Sequence, residues 1–438
     1  MNPAPQPASP ARADVLIVGC SGVATCCPGG VATKKPARGA ELANVGLLTN
    51  VGIAIAGGKV ISIAPDAELR KRYIAGETID ARGGIVIPGL VDAHTHPVFV
   101  NGREDDFERK TRGETYQQIA AAGGGILSSV RGVRGASDEV LEEKVKLRFE
   151  RLLDLGTTSV EAKSGYGLSA EDELRSLRAI RNAAKNCDIR CVSTLLAAHA
   201  IPPEYKSRRE DYIQLIREEI VPAAALEKLA TFHDVFVDDG FFTIAEAREL
   251  LTSGTQFGLR PKLHADELGT TGAAELAVEL GACSADHLDF ISKAGIDKLA
   301  NSETVAVLLP GVSHYLRSKT DAPARELIEA GAAVAIATDY NPGTCPSPSL
   351  FEAMHLAAIR MRLSPAEALV GATRNAAFAI GLGGEAGIVA EGLSADLVIC
   401  DVPDYRDVVY TFGRAPIAYV VARGRVVRRP PSARSAFV

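Results

Sequence analysis

Gly84-Ile85-Val86-Ile87-Pro88-Gly89-Leu90-Val91-Asp92-Ala93-His94-Thr95-His96 begins as an apolar strand and ends on two histidines one residue apart. Side chains two apart on a strand point to the same side, so His94 and His96 can grip one ion together. Neutral imidazole suits zinc and iron, and a third ligand beside an open position would make such a site catalytic. Read alone, the pair is equally well two polar residues at a strand end. The pattern that follows decides between these readings. Seven more β-type runs come after it, at 158–162, 190–196, 235–237, 262–264, 284–287, 305–309 and 334–337. Helical stretches separate them, for example 138–155, 170–185, 244–253 and 271–280. Eight β/α units over about 300 residues point to an α/β protein of the (β/α)8, TIM-like barrel class. The competing architecture is an open doubly wound sheet, but no Gly-x-Gly-x-x-Gly follows the first strand of the repeat.

The two chain ends read differently. Short β-type runs occupy 15–18, 51–56 and 59–64, with Ala56-Gly57-Gly58-Lys59 as a hairpin turn. Similar runs recur at 396–400 and 417–422, and Arg423-Gly424-Arg425 turns into Val426-Val427. The expected organisation is a disordered tail at 1–13 and a barrel at 87–387. A small β-sandwich is built from both ends, 14–86 and 388–438.

Composition narrows the class. The 438 residues are 47% hydrophobic and 23% charged, which reads as soluble and globular. A net charge of −6 without a long basic stretch argues against a nucleic-acid partner. No apolar run reaches the ~18 residues of a membrane helix, so no membrane partner is expected. The opening MNPAPQPASPARAD lacks the apolar core of a secretory signal, and a cytoplasmic protein is expected. Eight scattered cysteines fit reduced thiols. Cys20, Cys26 and Cys27 do cluster, yet no second pair has the spacing of a metal knuckle. The course of the stretch from Cys20 to Arg38 is not legible. The sequence does not set the oligomeric state, and a homodimer is compatible with it.

Barrel active sites gather at the C-terminal ends of the strands. His94 and His96 end the first expected strand, His199 follows the third, His264 ends the fifth and His287 ends the sixth. Asp339 lies just beyond the eighth. Five histidines and a carboxylate at one rim are hard to explain as separate core residues. His264 can complete a three-histidine set, and Asp339 can bind the metal and take a proton from water, whose pKa a metal lowers towards ~7. Glu267, close to His264 but aimed elsewhere, can shuttle a proton if burial raises its pKa. Its bland alternative is an acid at a helix start. Arg103 can match a carboxylate with its planar fork, though Glu104, Asp105 and Asp106 follow it and a solvated loop charge is the alternative. Tyr116 is a further candidate contact, with a helix-surface alternative. Tyr166 sits between Gly165 and Gly167, which lets backbone approach a ligand.

The Asp92–His96 motif, His264, His287 and Asp339 resemble the one-metal members of the amidohydrolase superfamily, whose divided β domain also matches. Longer segments narrow the resemblance to the imidazolonepropionase family. They are His94-Thr95-His96-Pro97-Val98-Phe99 with Arg103-Glu104-Asp105-Asp106-Phe107, Ala122-Gly123-Gly124-Gly125-Ile126, Lys163-Ser164-Gly165-Tyr166-Gly167-Leu168, Ala198-His199-Ala200-Ile201-Pro202-Pro203-Glu204-Tyr205, His264-Ala265-Asp266-Glu267 and Asp339-Tyr340-Asn341-Pro342-Gly343. The resemblance runs from roughly residue 45 to the end. It implies hydrolysis of the cyclic amide of 4-imidazolone-5-propanoate to N-formimidoyl-glutamate, a step of histidine degradation. It implies one zinc or iron ion per subunit on His94, His96, His264 and Asp339. It implies substrate contacts from Arg103, Tyr166, His199, Glu267 and Thr344, and product contacts from Tyr166, Asn341 and Gly343. His287 would hydrogen-bond the water or the developing oxyanion, so that Glu267, His287 and Asp339 form the catalytic set. Three departures stand out: the Cys20–Arg38 stretch, Ala93 and Tyr340 in place of Pro and Phe, and Thr344 in place of Ser. Two alternatives remain open at this point, a deaminase of a nucleobase or related heterocycle and a non-catalytic scaffold of the same fold.

Overall fold

A computed structural model describes residues 10–30, 32–114, 118–119 and 122–429. The first strands are β1 (Ala11–Val18), β2 (Gly22–Ala24), β3 (Leu47–Thr49), β4 (Gly52–Ala56), β5 (Lys59–Ala64), β6 (Tyr73–Asp80) and β7 (Ile85–Pro88). The barrel strands are β8 (Leu90–Asp92), β9 (Thr157–Lys163), β10 (Arg190–Ala198), β11 (Phe232–Val237), β12 (Arg260–Ala265), β13 (Ser284–His287), β14 (Val305–Leu308) and β15 (Val334–Ile336). The chain ends on β16 (Leu397–Cys400), β17 (Ile417–Ala422) and β18 (Arg425–Arg428).

Strands β8 to β15 pair in chain order as one eight-stranded parallel sheet. The sheet closes where Thr95 bridges Tyr340, with the His96 N–H donating to Tyr340 O at 2.9 Å and the Asp339 N–H to His94 O at 3.0 Å. The closure therefore runs through the His94–His96 segment and Asp339. Helices between the strands start on side-chain caps that the sequence supplies. Ser169 accepts from the Asp172 N–H, and Thr243 and Glu246 form a reciprocal capping box.

The remaining strands form two sheets, ordered β5-β4-β1-β6 and β18-β17-β16-β7-β2-β3. Ile17, Ile53 and Ile79 of the first sheet and Val86, Leu397 and Val421 of the second share one buried apolar cluster. Both ends of the chain thus contribute to one small sandwich. Its hairpin at Gly57-Gly58 has both residues at positive φ, 57° and 78°, the conformation a two-residue primed turn needs.

Three expectations change. The run from Ile85 to Val91 is two strands: β7 pairs with β16 in the sandwich, and only β8 joins the barrel. They part at Gly89, where any Cβ would land on the Thr158 side chain. The 1–13 tail is too long, because β1 starts at Ala11 and Ala11 already pairs with Tyr73 of β6; residues 1–9 lie outside the described ones. The described parts of the Cys20–Arg38 stretch, residues 20–30 and 32–38, also have a definite course. They form β2, bury Cys26 and Cys27, and cross the barrel end opposite the histidines. There the Arg38 guanidinium donates to Ala300 O, Gly331 O and Ser302 O.

Candidate active site

His94 and His96 follow β8 in extended backbone and both face the barrel axis, at 0% and 3% exposure. Thr95 between them points away and donates to Glu161 O. His264 enters from β12. The Nε2 atoms of the three rings converge, with His94 3.1 Å and His264 3.4 Å from His96. Asp339 Oδ1 lies 3.2 Å from His96 Nε2 and 3.5 Å from His94 Nε2. Four ligand atoms 2.0–2.1 Å from a common centre at tetrahedral angles would be about 3.3 Å apart. Asp339 Oδ1 is buried with no hydrogen-bond partner, and so is His96 Nδ1. Imidazole nitrogens facing one another this closely, beside an orphaned carboxylate oxygen, match the donor set of a bound cation. Burial, reinforced by nearby Lys163 and neighbouring histidines, holds His94 and His96 well below the usual imidazole range, so both are neutral as ligands require. Burial pushes the Asp339 carboxyl up to about 7.

Two strand ends turn sharply to aim their side chains here. Asp339 has φ 53° and His287 has φ 79°, backbone that is strained for residues other than glycine and concentrates at functional sites. His287 makes no hydrogen bond with either ring nitrogen, and its Nε2 lies 3.6 Å from Glu267 Oε2. Glu267 is not the helix-start acid of the bland reading. That role falls to Asp266, whose carboxylate accepts from the Thr271, Gly272 and Ala274 N–H groups. Glu267 is left facing the cavity, where burial first, and then the Asp339, Asp289 and Asp238 carboxylates, raise its pKa well above the usual range.

His96, His264, Glu267, His287 and Asp339 line a cavity of about 220 Å3, below the roughly 300–1,000 Å3 of sites for drug-sized ligands. Its walls include Arg103, Tyr166, His199, Asn341 and Thr344. Arg103 donates through Nε to Ser129 Oγ at 3.0 Å and lies 5.7 Å from the Tyr166 ring centre. Among the described residues no carboxylate pairs with it, so the loop-charge alternative loses its premise. His199 stacks on His96 at 5.2 Å between centroids, and its Nδ1 meets Gly165 O at 2.9 Å.

Asn341 lines the cavity as expected, and Gly343 stands behind it. The Asn341 amide is spent on its own turn: it donates to Asp339 O and Thr344 Oγ1 and accepts from the Gly343 and Thr344 N–H groups. Gly343 lies against Arg103 rather than in the cavity wall, and a Cβ there would fall inside the guanidinium. Tyr116 lies outside the described residues. Sequence reasoning missed the apolar lining of Ile126, Phe236, Phe241, Leu268 and Leu316. Phe236 alone had a legible signal, two positions after Asp234 on the same inward face of β11.

The amidohydrolase family profile matches residues 85–427. Imidazolonepropionase of Symbiobacterium thermophilum is 44% identical over 94% of this chain and 97% of its own length. Imidazolonepropionase of Chloroflexus aggregans is 42% identical over 94% and 98%. Among solved structures, a triazine hydrolase from Arthrobacter aurescens superposes with TM-score 0.72 at 18% identity over 95% of this chain and 94% of its own. An adenosine deaminase from Xanthomonas campestris with bound Zn gives TM-score 0.69 at 20% identity over 95% and 93%. These two solved structures carry the fold only.

Proposed function

The chain belongs to the amidohydrolase family and, within it, to the imidazolonepropionases, and from that premise we propose that its cavity opens the ring of 4-imidazolone-5-propanoate to give N-formimidoyl-L-glutamate. One observation carries the reading: the converging imidazoles of His94, His96 and His264, with the Asp339 carboxylate beside two of them, stand at the same small cavity as a buried guanidinium that no carboxylate pairs with among the described residues. A cyclic amide bearing a carboxylate needs both. A neutral nucleobase would give Arg103 nothing to bind, and a non-catalytic scaffold would have no reason to keep the ligand set.

His94, His96, His264 and Asp339 would hold one zinc or iron ion. When bound, such an ion polarises a carbonyl and makes water a nucleophile at neutral pH. Arg103 fixes the propionate by a charge-assisted hydrogen bond, with Tyr166 and Thr344 beside it. His199 and the Phe236 ring close the opposite wall. Asp339, with its carboxyl near neutrality, accepts the proton of the attacking water. His287 has both ring nitrogens free to direct a hydrogen bond at the developing oxyanion. Glu267, kept protonated by its surroundings, delivers the proton to the departing ring nitrogen. The reading is that of an enzyme of histidine degradation working in the cytoplasm on a free small molecule. No helix among the described residues is long and apolar enough to cross a membrane.

The test compares freshly made 4-imidazolone-5-propanoate with the analogue lacking its carboxylate, and with cytosine and guanine. The reading expects turnover of the first, a large loss of kcat/KM for the second and none of the bases. Release of ammonia from either base at a comparable rate would overturn it.

A further inference from the structure

The interior of a (β/α)8 barrel is ordinarily filled by layers of branched apolar side chains. Directly beneath the histidines this barrel departs from that rule. Glu161 and Lys163 from β9, Asp234 from β11, Lys262 from β12 and Asp286 from β13 all point inward at 0% exposure. Five charged groups in so little space are costly unless each is paired. Here they are. Lys163 Nζ donates to Glu161 Oε1 and to Asp234 Oδ2, both at 2.7 Å, and lies 3.7 Å from Asp286 Oδ2. Lys262 Nζ donates to Ala93 O at 3.0 Å and sits 3.4 Å from Glu161 Oε1 and 3.6 Å from Asp286 Oδ2. Thr194 closes the ring by donating to Glu161 Oε1.

Two carboxylates of this cluster reach upward. Asp286 Oδ2 is 2.6 Å from His94 Nδ1, on the far side of the ring from the converging Nε2. Asp234 accepts the His264 backbone N–H at 3.2 Å and places Oδ2 3.0 Å from His264 Nδ1. A neutral imidazole has one N–H and one lone pair, and the partner of one nitrogen decides which is which. A carboxylate against Nδ1 demands the proton there and leaves the lone pair on Nε2.

We propose that Asp286 is a positioning residue for the metal centre, fixing the tautomer and tilt of His94 through Nδ1, and that Lys163 and Lys262 are its anchors, while Asp234 holds His264 through its backbone N–H. The inference rests on the reading of His94 and His264 as ligands. Two lysines against three carboxylates leave the cluster one formal negative charge, which faces the side from which a cation would be held. Lys262 also ties the cluster to the backbone of the His-x-His segment at Ala93, so ligand and support move as one body.

The experiment uses the full chain, stripped of metal by a chelator and titrated with Zn2+ against a competing indicator. Asp286→Asn keeps the shape but removes the charge, and Zn2+ binding is expected to weaken by about 10–100-fold, the usual worth of such a partner. Glu173→Gln neutralises another fully buried carboxylate, one that accepts from the Gly167 and Leu168 N–H groups, and should leave Zn2+ affinity unchanged. Long-range 1H–15N spectra of histidine-labelled, metal-free wild type should show the His94 proton on Nδ1. They decide the matter even if Asp286→Asn fails to fold. Wild-type affinity in Asp286→Asn, or a proton on His94 Nε2, would overturn the proposal while leaving the metal site intact. A wild type that takes up no metal would instead overturn the reading beneath it.

Discussion

In the proposed reaction Glu267 and Arg103 divide the work of the cavity, and each is tested by substitution. Glu267 is held protonated chiefly by burial, so the acid form persists to a pH above that of an ordinary carboxyl. The sign follows from this. The limb of the profile that belongs to Glu267 should fall as pH rises through that raised pKa, because the proton donor is then lost. Glu267→Gln should lower kcat by about 10²–10⁴ and erase that limb of the profile while the metal stays bound. An unchanged pH profile in the variant would assign the limb to another group. Arg103→Ala should raise KM by the loss of a contact of about 1.5–3 kcal/mol. Gly343→Ala should do much of the same without touching the arginine, since the added methyl group occupies the guanidinium's seat. Steady-state kinetics of both variants check this, and a normal KM in Gly343→Ala would mean that the guanidinium has room elsewhere. At this scale the sequence was legible where chemistry and spacing coincide, as in His-x-His. It was silent where a residue acts by what it lacks, as Gly343 does. It could not show that Asn341, which does line the cavity, also holds its own turn with its amide.

Elements carry these residues into register. The loop from Ser164 to Ser169 has no regular structure of its own, yet it presents Tyr166 against Arg103. It is held by Glu173 in the first turn of the following helix, which accepts from the Gly165 N–H at 3.1 Å and from the Gly167 and Leu168 N–H groups at 2.8 Å each. Removing three acceptor contacts in a buried loop should free Tyr166. Glu173→Ala should raise KM several-fold and quicken backbone hydrogen exchange at Gly167 and Leu168, with little effect on metal binding. Unaltered exchange at those two amides would show that the loop is held by its packing alone. Periodicity announced the strands and most helices near this loop, because alternation and caps are local signals. It could not announce that the apolar run before His94 breaks at Gly89, since both halves are equally apolar and the break is set by Thr158 on a neighbouring strand. Nor could it place β6 beside β1, a parallel pairing between segments about sixty residues apart, because pairing partners leave no mark in local pattern.

The whole molecule joins a barrel closed through Thr95 and Tyr340 to a sandwich built from both chain ends. The four proposed ligand residues come from β12 and from the segments after β8 and β15, so an ion held there would cross-link both sides of the closure. Anything that binds only the folded state stabilises it, by about 2.7 kcal/mol at a hundredfold excess over Kd. Chelation should therefore lower Tm, and the loss should shrink with the logarithm of the free metal concentration as metal is returned. Calorimetry with and without chelator checks this, and identical transitions would mean that the ion contributes nothing to closure. The barrel class was legible because eight β/α units are hard to arrange otherwise. The charged layer beneath the histidines was not, because Glu161, Asp234 and Asp286 read singly as polar residues in strands and only barrel closure brings them together.

The central claim is that a single ion on His94, His96, His264 and Asp339 drives imidazolone ring opening. Metal-stripped chain, titrated with Zn2+ or Fe2+ in the presence of freshly made 4-imidazolone-5-propanoate, tests it through the loss of imidazolone absorbance. Activity should be absent at the start and rise to a plateau at one ion per chain, with N-formimidoyl-glutamate as the product. Full activity in the stripped chain, or a plateau reached only at two ions, would contradict the account.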